Sequence, residues 1–177
     1  PPRSTPSNSS AASDVYKRQV YLVVYNIPNE DGMFFIERLA NNGNRVKIYV
    51  GVNEIRNRMK ELRYRFYEIL ERHGVVKTRL GRIVDADNVV SLRRELMEWR
   101  REYLSIQKDI DLFIKNPLAF KGGDLVLGQI RKHHLHWPPK DFNITDRFFL
   151  EIIGPIKIPK KLYDQLILKA ITNTEER

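Results

Sequence analysis

The sequence predicts an α+β protein: a small mixed sheet of three or four strands, a long antiparallel helical hairpin of coiled-coil-like pattern, and a C-terminal helix. Three observations predict it. Apolar residues from Val52 to Phe113 recur at alternating steps of three and four in two long runs. Short β-branched and aromatic runs lie on either side of them. Clusters of Asn, Gly and Pro separate the runs. At 177 residues the chain suits one domain, here 20–177, with the hairpin at 53–115 inside it.

Residues 1–19 are rich in Ser and Pro and follow no periodic pattern. Ser13 to Gln19 reads like translated adaptor sequence, so 1–19 is expected to be a disordered or non-native leader, with structure beginning near Val20. Residues 20–27 form a near-continuous apolar run, the mark of a strand covered on both faces. Pro28-Asn29 turns it, Asp31 can cap a helix, and 33–40 reads as that short apolar helix. The cluster Asn41 to Asn44 is a turn, after which Val46, Ile48 and Val50 alternate with polar neighbours as a second strand. Strand, helix, strand suggests a βαβ unit with a right-handed crossover; the short helix also permits an antiparallel arrangement.

In the hairpin, the first helix places Val52, Ile55, Met59, Leu62, Phe66 and Ile69 along one seam. The second runs through Val89, Leu92, Leu96, Trp99, Tyr103 and on to Phe113. Gly74 suits the left-handed position past the first helix, Asp87 or Asn88 can cap the second, and Asn116-Pro117 stops it. Residues 75–86 are a short basic connection against helices of roughly 30 and 40 Å, so the helices run antiparallel. A register with Phe66 facing Trp99 sets Arg72 beside Glu95, Arg65 beside Glu102, and Arg58 beside Asp109. The opposite flank has no such match: Arg63 faces Arg100, and Leu70 faces Arg93. Beside it Val90, Met97 and Leu104 form a second apolar stripe, expected to dock on the rest of the domain.

Beyond the hairpin, Gly122-Gly123 breaks the chain, and 124–130 fits either a strand or a turn of helix. Residues 147–153 read as a strand, Gly154-Pro155 as a turn, and Pro159 as the first residue of a final helix on which Leu162, Leu166 and Ala170 share a face.

Composition narrows the function. The net charge of +9 favours polyanionic partners. The excess is spread thinly over the middle of the chain, however, with 20–52 and 141–177 each neutral. The absence of cysteine excludes disulfides, thiol catalysis and cysteine-ligated zinc. No apolar run has the length of a membrane span. No cofactor is called for, and a cytoplasmic location is the expectation.

The one concentration of site chemistry is the run Arg131 to Trp137 with its three histidines. If extended, His134 and His136 point to one side, and Asp141 or Asp146 can add an oxygen ligand for a metal. A polar surface loop is the plainer reading. Asp85, Asp87, Glu30 and Asp31 stand just before helices, where carboxylates cap free N–H groups. Gly122-Gly123-Asp124 lacks the lysine and hydroxyl of a phosphate loop, and no serine lies in a nucleophile elbow. Tyr64 and Tyr67 project near Lys60 and Arg63, a pairing able to stack bases, although packing is the plainer use of Tyr67.

The leading expectation is therefore a non-enzymatic binding or scaffold protein acting through the basic hairpin on a nucleic acid or protein partner. Its contact residues are Lys77, Arg79 and Arg82 at the tip, Arg63 and Arg100 on the flank, and Arg131 and Lys132 beyond. The alternatives are a metal-dependent hydrolase or nuclease using His134, His136 and Asp141, and a homo-oligomer built on the hairpin.

Overall fold

The computed structural model describes residues 17–175. In chain order, strand β1 (Lys17–Asn26) is followed by a short helix α1 (Glu30–Phe34), strands β2 (Phe35–Leu39) and β3 (Arg45–Tyr49), and helix α2 (Asn53–Arg72). Strands β4 (Val76–Thr78) and β5 (Gly81–Asp85) precede helix α3 (Val89–Lys115). Helix α4 (Gly123–Lys132), strand β6 (Phe149–Pro159) and helix α5 (Lys160–Glu175) follow. The class is α+β, as the sequence predicts. Among the described residues, no helix is long and apolar enough to cross a membrane. Contacts group the chain into two compact units, each drawn from separated segments, and α2 and α3 contribute residues to both.

One unit comprises 17–25, 68–95 and 150–175. Its antiparallel sheet has the order β4-β5-β1-β6. The central strand β1 buries both Val20 and Val23, residues of opposite pleat, and its start lies earlier than expected. Lys17 to Gln19 belong to the strand, and Arg18 pairs with Asp85 at 3.5 Å. Residues 1–16 of the expected leader lie outside the described residues. Val20, Ile83, Ile158 and Leu166 form the core here, with Leu162 and Tyr163 of α5 packed against it.

The basic connection folds as a β-hairpin, with Val76 opposite Ile83 and Lys77 opposite Arg82. Thr78 organises its turn: its hydroxyl donates to the Gly81 carbonyl and accepts from the Leu80 N–H. Gly154-Pro155 is not a turn but lies inside β6. Gly154 has φ +149, and a Cβ there would come within 2.9 Å of the Tyr21 ring and 3.0 Å of the Val20 carbonyl, so glycine lets the two strands meet.

The other unit comprises 26–67 and 96–149. The expected helix over 33–40 stops at Phe34, because Phe35 and Ile36 continue as a strand that pairs antiparallel with β3, from Phe35 opposite Tyr49 to Leu39 opposite Arg45. The Asn41–Asn44 turn joins the pair, with Gly43 at φ +84. Consequently β1 and β3 stand in different sheets, and there is no βαβ crossover. Asn29, not Asp31, caps α1 by accepting from the Gly32 N–H. Gly51 is where Phe34 packs: a Cβ there would overlap the ring at 2.2 Å. The ambiguous stretch around 124–130 is helical, within α4.

The antiparallel register of α2 and α3 holds as read. Phe66 lies on Trp99 with ring centroids 4.8 Å apart, and Trp99 stacks on Tyr103 at 5.0 Å. The buried polar tips are satisfied: Trp99 Nε1 donates to the Leu62 carbonyl at 2.7 Å and the Tyr103 hydroxyl to the Pro28 carbonyl at 2.6 Å. Arg65 pairs with Glu102 at 3.0 Å, Arg58 with Asp109, and Arg72 with Glu95. Gly74, at φ +74, closes α2 through bonds from its own N–H to Glu71 and from the Val75 N–H to Leu70. Asp85, read from the sequence as a capping carboxylate, caps the short 3-10 turn Ala86–Asn88 that leads into α3 by accepting from the Asp87 N–H.

The expected cover over the second apolar stripe is partial: Leu104 is half-buried, while the other two residues stand open. Val90 is 66% exposed and Met97 64%. What docks instead is the arginine flank: Arg93 lies 5.3 Å over the Tyr21 ring, and Arg100 lies 5.8 Å over Phe148. A guanidinium laid on a ring keeps its charge toward water while its stem covers apolar surface.

Candidate nucleic-acid interface

Lys60, Arg63, Tyr64 and Tyr67 follow one another along α2 at steps of three, one and three, which places all four on one face. That face is not the seam of Met59, Leu62 and Phe66, which is buried. With Glu30, from the first turn of α1, the four residues line a cavity of about 220 Å³. Tyr64 is 64% exposed and Tyr67 41%. The plainer use of Tyr67, packing, is only partly realised: its ring meets Phe66 edge-on at 5.7 Å and still reaches solvent.

The electrostatics of this cavity differ from those of the rest of α2. Among the described residues, Glu30, Lys60 and Arg63 take part in no ion pair. Glu30 Oε2 and Arg63 Nε are closed off from solvent without a hydrogen-bond partner. Enclosed polar atoms of this kind cost free energy until something supplies the missing bond. Both groups bear on Tyr103: burial pushes its hydroxyl far above the usual tyrosine range, the Arg63 guanidinium draws it down, and the Glu30 carboxylate pushes it up. The arrangement can therefore offer two cations to a phosphate, two ring faces to a base, and one carboxylate to an N–H donor.

Of the other expected contact residues, Lys77, Arg79 and Arg82 come together on the β4–β5 hairpin. Lys77 and Arg82 stand directly opposite, a like-charge pair that disfavours the hairpin unless an anion or a ring relieves it. Arg82 finds a ring, lying 4.8 Å over Tyr25; Lys77 and Arg79 are exposed. Arg131 and Lys132 occupy the last turn of α4, where cations complement the helix dipole. Arg100 lies over Phe148 and does not line the cavity beside Arg63.

The histidine run does not have the geometry on which a metal pair depends. His134 is not extended: it takes φ +53 and closes α4, its N–H bonding Arg131 and the Leu135 N–H bonding Ile130. Asp141 pairs with Arg147 at 3.1 Å. Among the described residues no group of three or more His, Asp or Glu is placed to hold a metal ion.

The sequence reading of Glu30 as a helix-end carboxylate is correct as far as it goes. Its place on the cavity wall depends on a tertiary contact that no local pattern announces.

No family model matches this chain, and no curated protein or solved structure is significantly similar to it.

Proposed function

We propose that this is a non-enzymatic binding protein that holds single-stranded nucleic acid on the outward face of α2. The observation that carries the reading is the group of two exposed tyrosines and two unpaired cations around one cavity. Exposed rings offer stacking to any base, worth about 1–3 kcal/mol each, while Lys60 and Arg63 neutralise the backbone. In this reading the coiled-coil-like pairing of α2 with α3 is a rigid mount, the turn bearing Lys77 and Arg79 is a further phosphate contact, and the protein works in the cytoplasm.

The test is the fluorescence anisotropy of a labelled single strand and of its duplex, titrated with protein at rising salt. The single strand is expected to bind more tightly. Removing Lys60 by K60A should lower the slope of log affinity against log salt by about 0.7, the share of one neutralised phosphate. An affinity that ignores salt, or that favours the duplex, would overturn the reading.

A second reading, self-association through α3, is favoured by the exposure of Val90 and Met97. Light scattering separates the two: a strict monomer that binds oligonucleotide leaves only the first.

A further inference from the structure

We infer that the outward face of α3 docks a protein partner, an acidic amphipathic helix laid along the line Met97, Arg101, Leu104, Lys108, Leu112 and Lys115. This surface is on a different helix from the nucleic-acid face above and stands independently of it.

Steps of four, three, four, four and three place the six residues on one face of α3. All six belong to the compact unit that holds 96–149. The seam toward α2 runs along another side, through the buried Trp99, Ile106 and Phe113. On the outward line Met97 and Leu112 are exposed, Leu104 is half-buried, and the three cations are exposed. Apolar and cationic side chains alternate, and no acid interrupts them. Among the described residues, Arg101, Lys108 and Lys115 enter no ion pair. The acids of α3 are engaged or placed elsewhere. Glu95, Glu102 and Asp109 meet the arginines of α2. Asp111, to one side of the line, accepts from the Gln107 amide, and Glu98 stands to the other side.

Met97 and Leu104 are seven residues apart, the repeat at which one helix packs along another. The cations between the anchors decide what that second helix carries. Exposure of Met97 alone would suit a second copy of the chain, but two such lines set cation against cation in either direction. A nucleic acid would answer the cations and leave uncovered the aliphatic side chains, which have no ring to stack on a base. A helix lying on a membrane uses a broad apolar stripe, whereas here each apolar residue stands between cations. An acidic amphipathic helix satisfies both sets at once, burying its apolar side chains on the anchors and pairing its carboxylates with the cations. From Met97 to Lys115 the line runs about 27 Å, room for a partner of about five turns.

The probe is a fluorescein-labelled peptide of about three heptads with Leu at a and d and Glu at e and g; the control has Lys in place of Glu. Titrated with the full chain and read by anisotropy, the Glu peptide should bind about tenfold more tightly than the Lys peptide, because like charges across a contact repel. Met97→Asp should weaken the Glu peptide about tenfold, and Arg101→Glu combined with Lys108→Glu should reverse the order of the two peptides. The melting temperature of each variant, expected near that of wild type because the positions are exposed, confirms that it folds. No binding of the Glu peptide, equal binding of the two peptides, or an order that survives the double reversal overturns the inference. A dimer in light scattering that Met97→Asp abolishes overturns it in favour of a second copy. Retention on phosphatidylserine vesicles that Met97→Asp abolishes overturns it in favour of a membrane.

Discussion

Two faces of one helix carry cations, and only one of them is neutralised. Along one edge of α2, Arg58, Arg65 and Arg72 each meet an acid from α3. On the face bearing Lys60 and Arg63, no acid closes either charge among the described residues, and the exposed rings of Tyr64 and Tyr67 stand beside them. The first edge is an internal matter of register: its partners are supplied by the same chain, and it sets which residues of α3 stand beside α2. The second is complete only with something added. Basic residues interleaved along one helix thus divide by whether the fold answers them.

The largest effect comes from removing the support common to both faces. Trp99 is buried between Phe66, Tyr103 and Phe148, and its indole N–H is bound to Leu62. Trp99→Ala should cost about 3–5 kcal/mol, read as a lowered urea midpoint. A loss below 1 kcal/mol would mean that the two faces have no common foundation at this ring.

Next comes the unanswered face. Tyr64→Ala should weaken single-strand binding by about 1–3 kcal/mol with little change in melting temperature, since the ring is exposed. A fall in stability without a fall in affinity would make Tyr64 a packing residue.

The answered edge should show the reverse. Arg65→Glu and Glu102→Arg should each destabilise by up to about 1 kcal/mol, with the double swap recovering most of the loss, and neither should alter oligonucleotide affinity. Both side chains are over two-fifths exposed, so the lower part of that range is expected.

The smallest effect belongs to Glu95. A hydrogen bond from His73 is the main cause holding its carboxyl below the usual range, burial opposes this, and Arg72 adds to the lowering. A carboxyl depressed by folding stabilises above its unfolded value and loses that contribution as pH falls through the folded one. Wild type should therefore lose slightly more stability than Glu95→Gln as a denaturation series descends through the acid range. Parallel pH profiles would remove Glu95 from the account.

The hairpin was legible because its signal is periodic and redundant. The same numbering that brings Phe66 to Trp99 brings three arginines to three acids, so register and charge agree. Residues 33–40 were misread because a five-residue helix and a five-residue strand share one apolar run, and only pairing with β3 ends the helix at Phe34. The β4–β5 hairpin escaped because Arg79-Leu80 is not a typical turn pair. Gly81 at φ +112, with β-branched residues on both sides, was the available signal. Of the site, Lys60, Arg63, Tyr64 and Tyr67 were readable from helical spacing. Glu30 was not, because thirty residues separate it from Lys60 and folding alone brings them to one cavity.

The central claim is that the unanswered face of α2 is where the partner sits. The most direct measurement is the change in amide and side-chain NMR shifts on adding a short oligouridylate. The account predicts that the largest changes cluster at Glu30, Lys60, Arg63, Tyr64 and Tyr67, while Arg58, Arg65 and their acidic partners stay still. Changes centred on the paired edge, or none on either face, would contradict it.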